Sequence, residues 1–222
     1  MRREGRITPA QARALKSLWP RYGVEPGEGT VDLDAVFGRR APRVAEVGFG
    51  NGAALLALAA ERPDTDFLGI EVHGPGVGAL LRGLDERGIA NVRVLREDAV
   101  QVFAARLPAG SLDAVHVFFP DPWPKKRHHK RRLIQPAFLA DVARVLRPDG
   151  RLHVATDWED YAAHILEAAA VVPELRNLGG ADGFSPRPDY RPLTKYEQRG
   201  RRLGHVVRDI IFEKTEAGRA ED

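Results

Sequence analysis

Cysteine is absent from the 222 residues, which excludes disulfides, thiolate metal sites and a catalytic thiol together. Long apolar runs are absent as well. The longest, Ala53 to Ala60, is far too short for a membrane span, and the charged start Met1-Arg-Arg-Glu-Gly-Arg is not followed by the apolar core of a signal peptide. These two absences point to a cytoplasmic protein with no membrane partner. No internal repeat, heptad array or low-complexity linker divides the chain. Its length, with 43% hydrophobic residues, suits a single α/β domain over 1–222, with a short basic N-terminal arm over about residues 1–20. Charge of one sign is lacking overall, since 34 Lys and Arg face 31 Asp and Glu for a net +3, too little to argue for a polyanionic partner. Distribution says more. Lys125-Lys-Arg-His-His-Lys-Arg-Arg132 holds six permanent cations and no acid, and Arg199, Arg201 and Arg202 form a second cluster.

What is present is a regular alternation of strand and helix patterns. Arg43 to Phe49 is a short apolar run leading into glycines, followed by the strong helix former Ala53-Ala-Leu-Leu-Ala-Leu-Ala-Ala60, which ends before Pro63. Phe67 to Val72 reads as a second strand and Val92 to Asp98 as a third, with a helix around Val77 to Arg87 between them. Leu112 to Pro120 is a fourth strand, broken by prolines at 120, 122 and 124. A helix from Leu133 to Leu146 and the turn Arg147-Pro-Asp-Gly150 then lead into a fifth strand, Arg151 to Asp157. Beyond a helix near Tyr161 to Ala170, the segment Asn177 to Gly204 is rich in Gly, Pro and Arg and reads as a surface excursion, while Val206 to Phe212 reads as a strand returning to the sheet. The pattern predicts an α/β fold: a doubly wound, mostly parallel Rossmann-like sheet flanked by helices, with ligands at the C-terminal ends of the strands.

Candidate ligand-binding residues gather at those ends. Glu46-Val-Gly48-Phe-Gly50-Asn-Gly52 closes the first strand and opens the first helix of the alternation. There, a backbone with few side chains lets a ligand approach closely, although a plain strand-to-helix turn reads the same way. Glu71 ends the second strand twenty-five positions after Glu46, where Rossmann-like folds place the carboxylate that accepts from both ribose hydroxyls. Asp98 ends the third strand, and helix capping is its alternative role. Together the acids suit a ligand whose ribose, adenine amino group and ammonium are all donors, and S-adenosylmethionine has all three. The glycine loop holds no Arg or Lys, consistent with a cofactor that has no phosphate to neutralise.

At the end of the fourth strand, Phe118-Phe-Pro-Asp121-Pro-Trp-Pro-Lys125 sets one carboxylate in a proline-stiffened turn beside an aromatic ring and a lysine. A rigid turn capped by Asp121 is the plainer reading. The basic run beyond it reads either as phosphate contacts or as a solvated helix start. His128 and His129 lack a third ligand at suitable spacing, so no metal is expected and both read as neutral polar contacts. Trp123 reads as a brace for the turn, and Trp158 as a packing residue where a helix opens.

These motifs, with Gly69-Ile-Glu-Val-His73 and Thr194-Lys-Tyr-Glu197, resemble the bacterial tRNA (guanine-N7)-methyltransferases. The likeness runs from Gly5-Arg-Ile-Thr-Pro-Ala-Gln11 to Arg202-Leu-Gly-His-Val-Val-Arg-Asp209. The resemblance implies that Glu46, Glu71, Asp98 and Asp121, with Gly48, Gly50 and Gly52, bind S-adenosylmethionine, and that Asp121 is also catalytic. It implies that Lys125, Asp157, Thr194, Lys195, Tyr196 and Glu197 bind the substrate guanine, and that Arg127, His128, His129, Lys130, Arg131 and Arg132 contact tRNA. Tyr196 stands where relatives often carry Phe. The implied product is 7-methylguanosine in the variable loop of tRNA.

The chemistry agrees with that set. Guanine N7 carries a lone pair and no proton, so transfer needs alignment and desolvation more than a general base. Asp121 is expected to accept from the guanine N–H groups, with Asp157 or Glu197 reading the same edge. Three rival readings have their own signatures: a methyltransferase of exocyclic amines, with an Asn/Asp-Pro-Pro-aromatic motif; a non-catalytic RNA-binding module, free to lose the cofactor carboxylates; and an NAD-dependent oxidoreductase, for which the G-x-G-x-G spacing is wrong.

Overall fold

The computed structural model describes residues 7–193 and 195–215; within these, the side chains of Lys195, Tyr196, Arg199 and Arg201 fall outside the description. The elements run α1 (Pro9–Ser17), α2 (Trp19–Tyr22), α3 (Leu33–Phe37), β1 (Arg43–Val47), α4 (Ala53–Glu61), β2 (Asp66–Ile70), α5 (Gly74–Glu86) and β3 (Val92–Leu95). Next come α6 (Ala99–Gln101) with a π turn (Val102–Arg106), β4 (Leu112–Phe118), a 3-10 helix (Lys126–Arg131), α7 (Pro136–Val145), β5 (Leu146–Thr156), α8 (Glu159–Ala169), β6 (Leu175–Asn177), α9 (Lys195–Arg202) and β7 (Arg208–Lys214).

The strands form one seven-stranded sheet in the order β3-β2-β1-β4-β5-β7-β6. All neighbours are parallel except β7, which runs antiparallel to both β5 and β6. Helices cover both faces, which is why β2 is buried at every position and reads as a continuous apolar run. The two-residue period divides the core. Val44, Phe67, Val92 and Val94 pack with α4 and α5, whereas Ala45, Val47, Leu68, Ile70 and Leu95 pack with the π turn, α7 and α8.

The N-terminal segment is part of this packing from Thr8 onward. Thr8 and Gln11 form a capping box for α1. α1 crosses α5 where Gly78 leaves no room for a side chain, since a Cβ there would stand 2.7 Å from the Gln11 carbonyl oxygen. Tyr22 is fully buried, and the Val24 amide donates to the Val94 carbonyl at 2.8 Å. The expected basic arm therefore resolves into a packed layer from α1 on, while Met1 to Arg6 lie outside the described residues.

α5 starts at Gly74, earlier than its apolar period suggests, because its first turn sits against the glycine loop. A Cβ on Gly76 would land on the Gly50 carbonyl oxygen. Gly76→Ala is therefore expected to destabilise by about 1–3 kcal/mol, seen as a Tm lower by several degrees. An unchanged Tm would mean that the two turns separate at no cost.

The segment expected to be a surface excursion is partly interior. It contributes Asn177 to the edge strand β6, holds all of α9, and buries Arg191 and Glu197 to 1% exposure each.

Candidate active site

The strand order reverses between β1 and β4, and in doubly wound sheets the crevice at such a switch point receives ligands. A cleft of about 440 Å³ lies there, lined by Gly48, Glu71, Glu97, Asp98, Asp121 and Trp123 among others. The structure thus brings together acids from the ends of β2, β3 and β4.

Beneath the cleft, the glycine loop takes left-handed turns at Gly48 (φ 69°), Gly50 (φ 57°) and Gly52 (φ 78°), which L side chains rarely adopt. Nothing lies within 4 Å of where a Cβ on Gly48 or Gly50 would stand, so both leave bare backbone open. Gly52 serves packing instead, since its Cβ would meet Leu80 at 2.6 Å.

Glu46 does not line the cleft. It sits behind the loop at 3% exposure, and burial alone pushes its carboxyl up to about 8. Its Oε2 has no hydrogen-bond partner among the described residues. A buried carboxyl with one oxygen unsatisfied is costly, and a donor or cation held over the loop would relieve that cost.

Glu71 ties the end of β2 to the same loop. Its Oε1 accepts from the amides of Val72 (2.7 Å) and His73 (2.9 Å), and its Oε2 from the Gly50 amide (3.2 Å). Both lone pairs of Oε1 are thereby engaged, and Oε2 keeps one for a further donor. Asp98 caps α6, its Oδ1 accepting from the Val100 amide at 2.9 Å, and the residue also lines the cleft. Glu97, which the sequence reading passed over, also lines the cleft and lies 3.3 Å from the Arg106 guanidinium. Its only signal in the sequence is that it adjoins Asp98.

Asp121 is exposed at the rim, in a turn whose flanks carry positive φ at two aromatic residues, Phe119 (54°) and Trp123 (45°). Backbone of this kind costs about 1–3 kcal/mol per residue and persists only where the surroundings hold it. Trp123 is held by the Arg131 guanidinium, 5.1 Å over its ring, and by the edge of His128 at 5.8 Å. The basic run forms the short 3-10 helix, with Lys125, Lys126, Arg127, Lys130 and Arg131 exposed. His128 and His129 are half-buried, and His129 Nε2 lies 3.6 Å from Asp160. Arg132 parts from its neighbours: its side chain is 1% exposed and its guanidinium is ion-paired with Asp160.

On the far side of β4 the remaining candidates are more scattered. Asp157, at the end of β5, is half-buried and 3.1 Å from His205 Nδ1. Glu197 is committed to a buried ion pair, accepting from Arg191 Nη1 at 2.6 Å and Nη2 at 3.0 Å. Arg191 also pairs with Asp209 at 2.6 Å, and Asp209 accepts from His153 Nε2 at 2.7 Å. His153 is kept neutral by burial and accepts from the Tyr190 hydroxyl at 2.9 Å. Burial likewise pushes His116 down to about 3 between the stacked rings of Phe118 and Tyr190. Thr194 lies outside the described residues, as do the side chains of Lys195 and Tyr196. Trp158 opens α8 at 40% exposure. Among the described residues no cluster of three His, Asp or Glu could hold a metal ion, and no helix is long and apolar enough to cross a membrane.

Residues 40–210 match the model of a family described as "Putative methyltransferase". The tRNA (guanine-N(7)-)-methyltransferase of Alcanivorax borkumensis is 52% identical over 212 residues, covering 96% of this chain and 89% of its own. The enzyme of the same name from Alkalilimnicola ehrlichii is 55% identical over 218 residues, covering 97% and 92%. Among solved structures, the 16S rRNA methyltransferase KamB aligns with a TM-score of 0.61 at 15% identity, covering 88% of this chain and 99% of that one, a likeness of fold.

Proposed function

The chain belongs to the tRNA (guanine-N7)-methyltransferase family, and from that premise we infer how its residues divide the work. The reaction moves a methyl group from S-adenosylmethionine to N7 of a guanine in tRNA. The observation that carries the residue assignment is the convergence of Glu71, Asp98 and Asp121 on one cleft, with Glu46 buried behind its glycine loop.

The cofactor fits these residues. The unsatisfied Glu46 Oε2 suits an ammonium, Glu71 Oε2 a ribose hydroxyl and Asp98 an adenine amino group, while Gly48 and Gly50 leave backbone bare for close approach. When bound, the cofactor supplies an electrophilic methyl on sulfonium. Asp121 holds the guanine by accepting from its N–H groups, an edge that adenine presents differently. The N7 lone pair attacks with no proton to remove, so no general base is assigned. Lys125, Asp157 and the Thr194 to Glu197 segment are assigned to the substrate side. Within that segment, the buried Glu197 acts by anchoring α9 through Arg191.

We place the modified guanine in the variable loop and the enzyme in the cytoplasm, as one domain over 1–222. The exposed cations Lys126, Arg127, Lys130 and Arg131 are open to solvent and suit phosphates. Four such contacts predict that log K for tRNA falls against log salt with a slope of about −3 to −4; a flat response in a filter-binding titration would remove phosphate contact from the reading. The deciding experiment is transfer of labelled methyl from S-adenosylmethionine to unmodified tRNA, followed by nucleoside analysis and mapping of the labelled fragment. The expected product is 7-methylguanosine in the variable loop. A different methylated nucleoside would overturn the choice of base, and binding without transfer would favour the RNA-binding module.

A further inference from the structure

We propose that Arg132 is a positioning residue for Asp121 and not a tRNA contact: from inside the protein it holds the turn that presents the carboxylate to the cleft. The proposal rests on the reading of Asp121 as the catalytic residue.

The turn cannot hold itself. Pro120, Pro122 and Pro124 have no amide hydrogens, so the usual backbone hydrogen bonds of a turn are missing at every second residue. Phe119 and Trp123 add left-handed backbone on either side of Asp121. Geometry of that kind needs an outside hold, and Arg132 supplies one. Its Nε donates to the Pro122 carbonyl oxygen at 2.9 Å, one residue from Asp121. Its Nη2 is ion-paired with Asp160 at the start of α8, and its guanidinium lies 4.8 Å over the ring of Tyr161. That platform is itself fixed, because Tyr161 is fully buried and its hydroxyl accepts from the Ile134 amide at 3.2 Å.

A rigid planar fork can serve a carbonyl, a carboxylate and an aromatic face at once; a lysine ammonium cannot. A phosphate contact, by contrast, needs a cationic group open to solvent, which Arg131 and Lys130 offer and Arg132, at 1% side-chain exposure, does not. The six cations of the run, with no acid among them, have therefore split into five exposed charges and one buried fastener.

The test compares the parent with Arg132→Lys, Arg132→Gln and Asp160→Asn. Three readouts are taken: single-turnover methyl transfer at saturating tRNA, the salt slope of tRNA affinity, and amide hydrogen exchange of the 118–125 segment. Both Arg132 variants are expected to lose about 10–100-fold in rate, the cost of misplacing a reacting group. They should also show faster exchange in 118–125 and keep the parent salt slope. Asp160→Asn removes an acid beside the basic run, so it should bind tRNA at least as tightly as the parent while its rate falls several-fold. That substitution lies on the surface, which preserves the test if the Arg132 variants fail to fold.

The proposal is overturned if Arg132→Lys keeps both the parent rate and the parent exchange in 118–125, or if Arg132→Gln flattens the salt slope by about one with exchange unchanged, as loss of a phosphate contact would. Faster exchange with an unchanged rate would instead overturn the catalytic reading of Asp121.

Discussion

Replacing Asp121 with alanine is expected to lower single-turnover methyl transfer by about 10³-fold while leaving the Kd for tRNA within a few-fold of the parent. The two effects separate because affinity for a polyanion comes mostly from cations around its phosphates, whereas Asp121 is an acid and subtracts from that attraction. The contribution proposed for it is orientation, through acceptor oxygens on the rim of the cleft. Asp121→Asn is the sharper variant. It keeps the size of the side chain but exchanges one acceptor oxygen for a donor group, so most of the rate should still be lost. Quench-flow transfer of labelled methyl, paired with filter binding, reads both quantities. If Asp121→Ala turned over at the parent rate, the catalytic assignment would be wrong, and a large loss of tRNA affinity would mean that the turn had collapsed.

Glu46→Gln is expected to stabilise the free protein at pH 8 and to weaken cofactor binding by about 10–100-fold, the effect of losing a hydrogen bond to a charged group. In the folded chain the carboxyl titrates near 8 in place of 4.5. Between those values the folded state holds a proton that the unfolded state has released. The group therefore costs nothing below the lower value and erodes stability as pH rises, by up to about 1.4 kcal/mol per pH unit. The amide cannot ionise, so thermal unfolding of the parent and the variant across pH 5 to 8 should diverge, with the parent falling away. Parallel curves would show that the carboxyl is not buried as described. The same logic makes cofactor capture release a proton at neutral pH, because pairing with an ammonium requires the ionised carboxylate. A residue that destabilises the empty protein is consistent with a site arranged around a positive ligand.

The strand ends and the glycine loop were legible in the sequence because their causes are local. Apolar residues repeat at the period of the element they form, positive φ demands glycine, and proline removes an amide wherever it stands. Glu46, Glu71, Asp98 and Asp121 could be singled out because each lies within a few residues of the C-terminal end of a strand. Other features depended on residues distant in the chain. Arg131 and Arg132 are adjacent and chemically alike, yet Arg132 alone is buried, because Asp160 and Tyr161 at the start of α8 meet it there. Glu97 turns into the cleft beside Asp98 only because β3 and the helix after it set the direction of both.

In the same way, β7 enters antiparallel between β5 and β6, bringing Asp209 against His153 and Arg191 and so drawing Glu197 inside. The sequence by itself determined the kinds of element, their order and the chemistry at their ends, since these follow from each residue and its near neighbours. Only the tertiary structure decided which charges face water and which fasten the site, because burial is set by what packs on a side chain from across the fold.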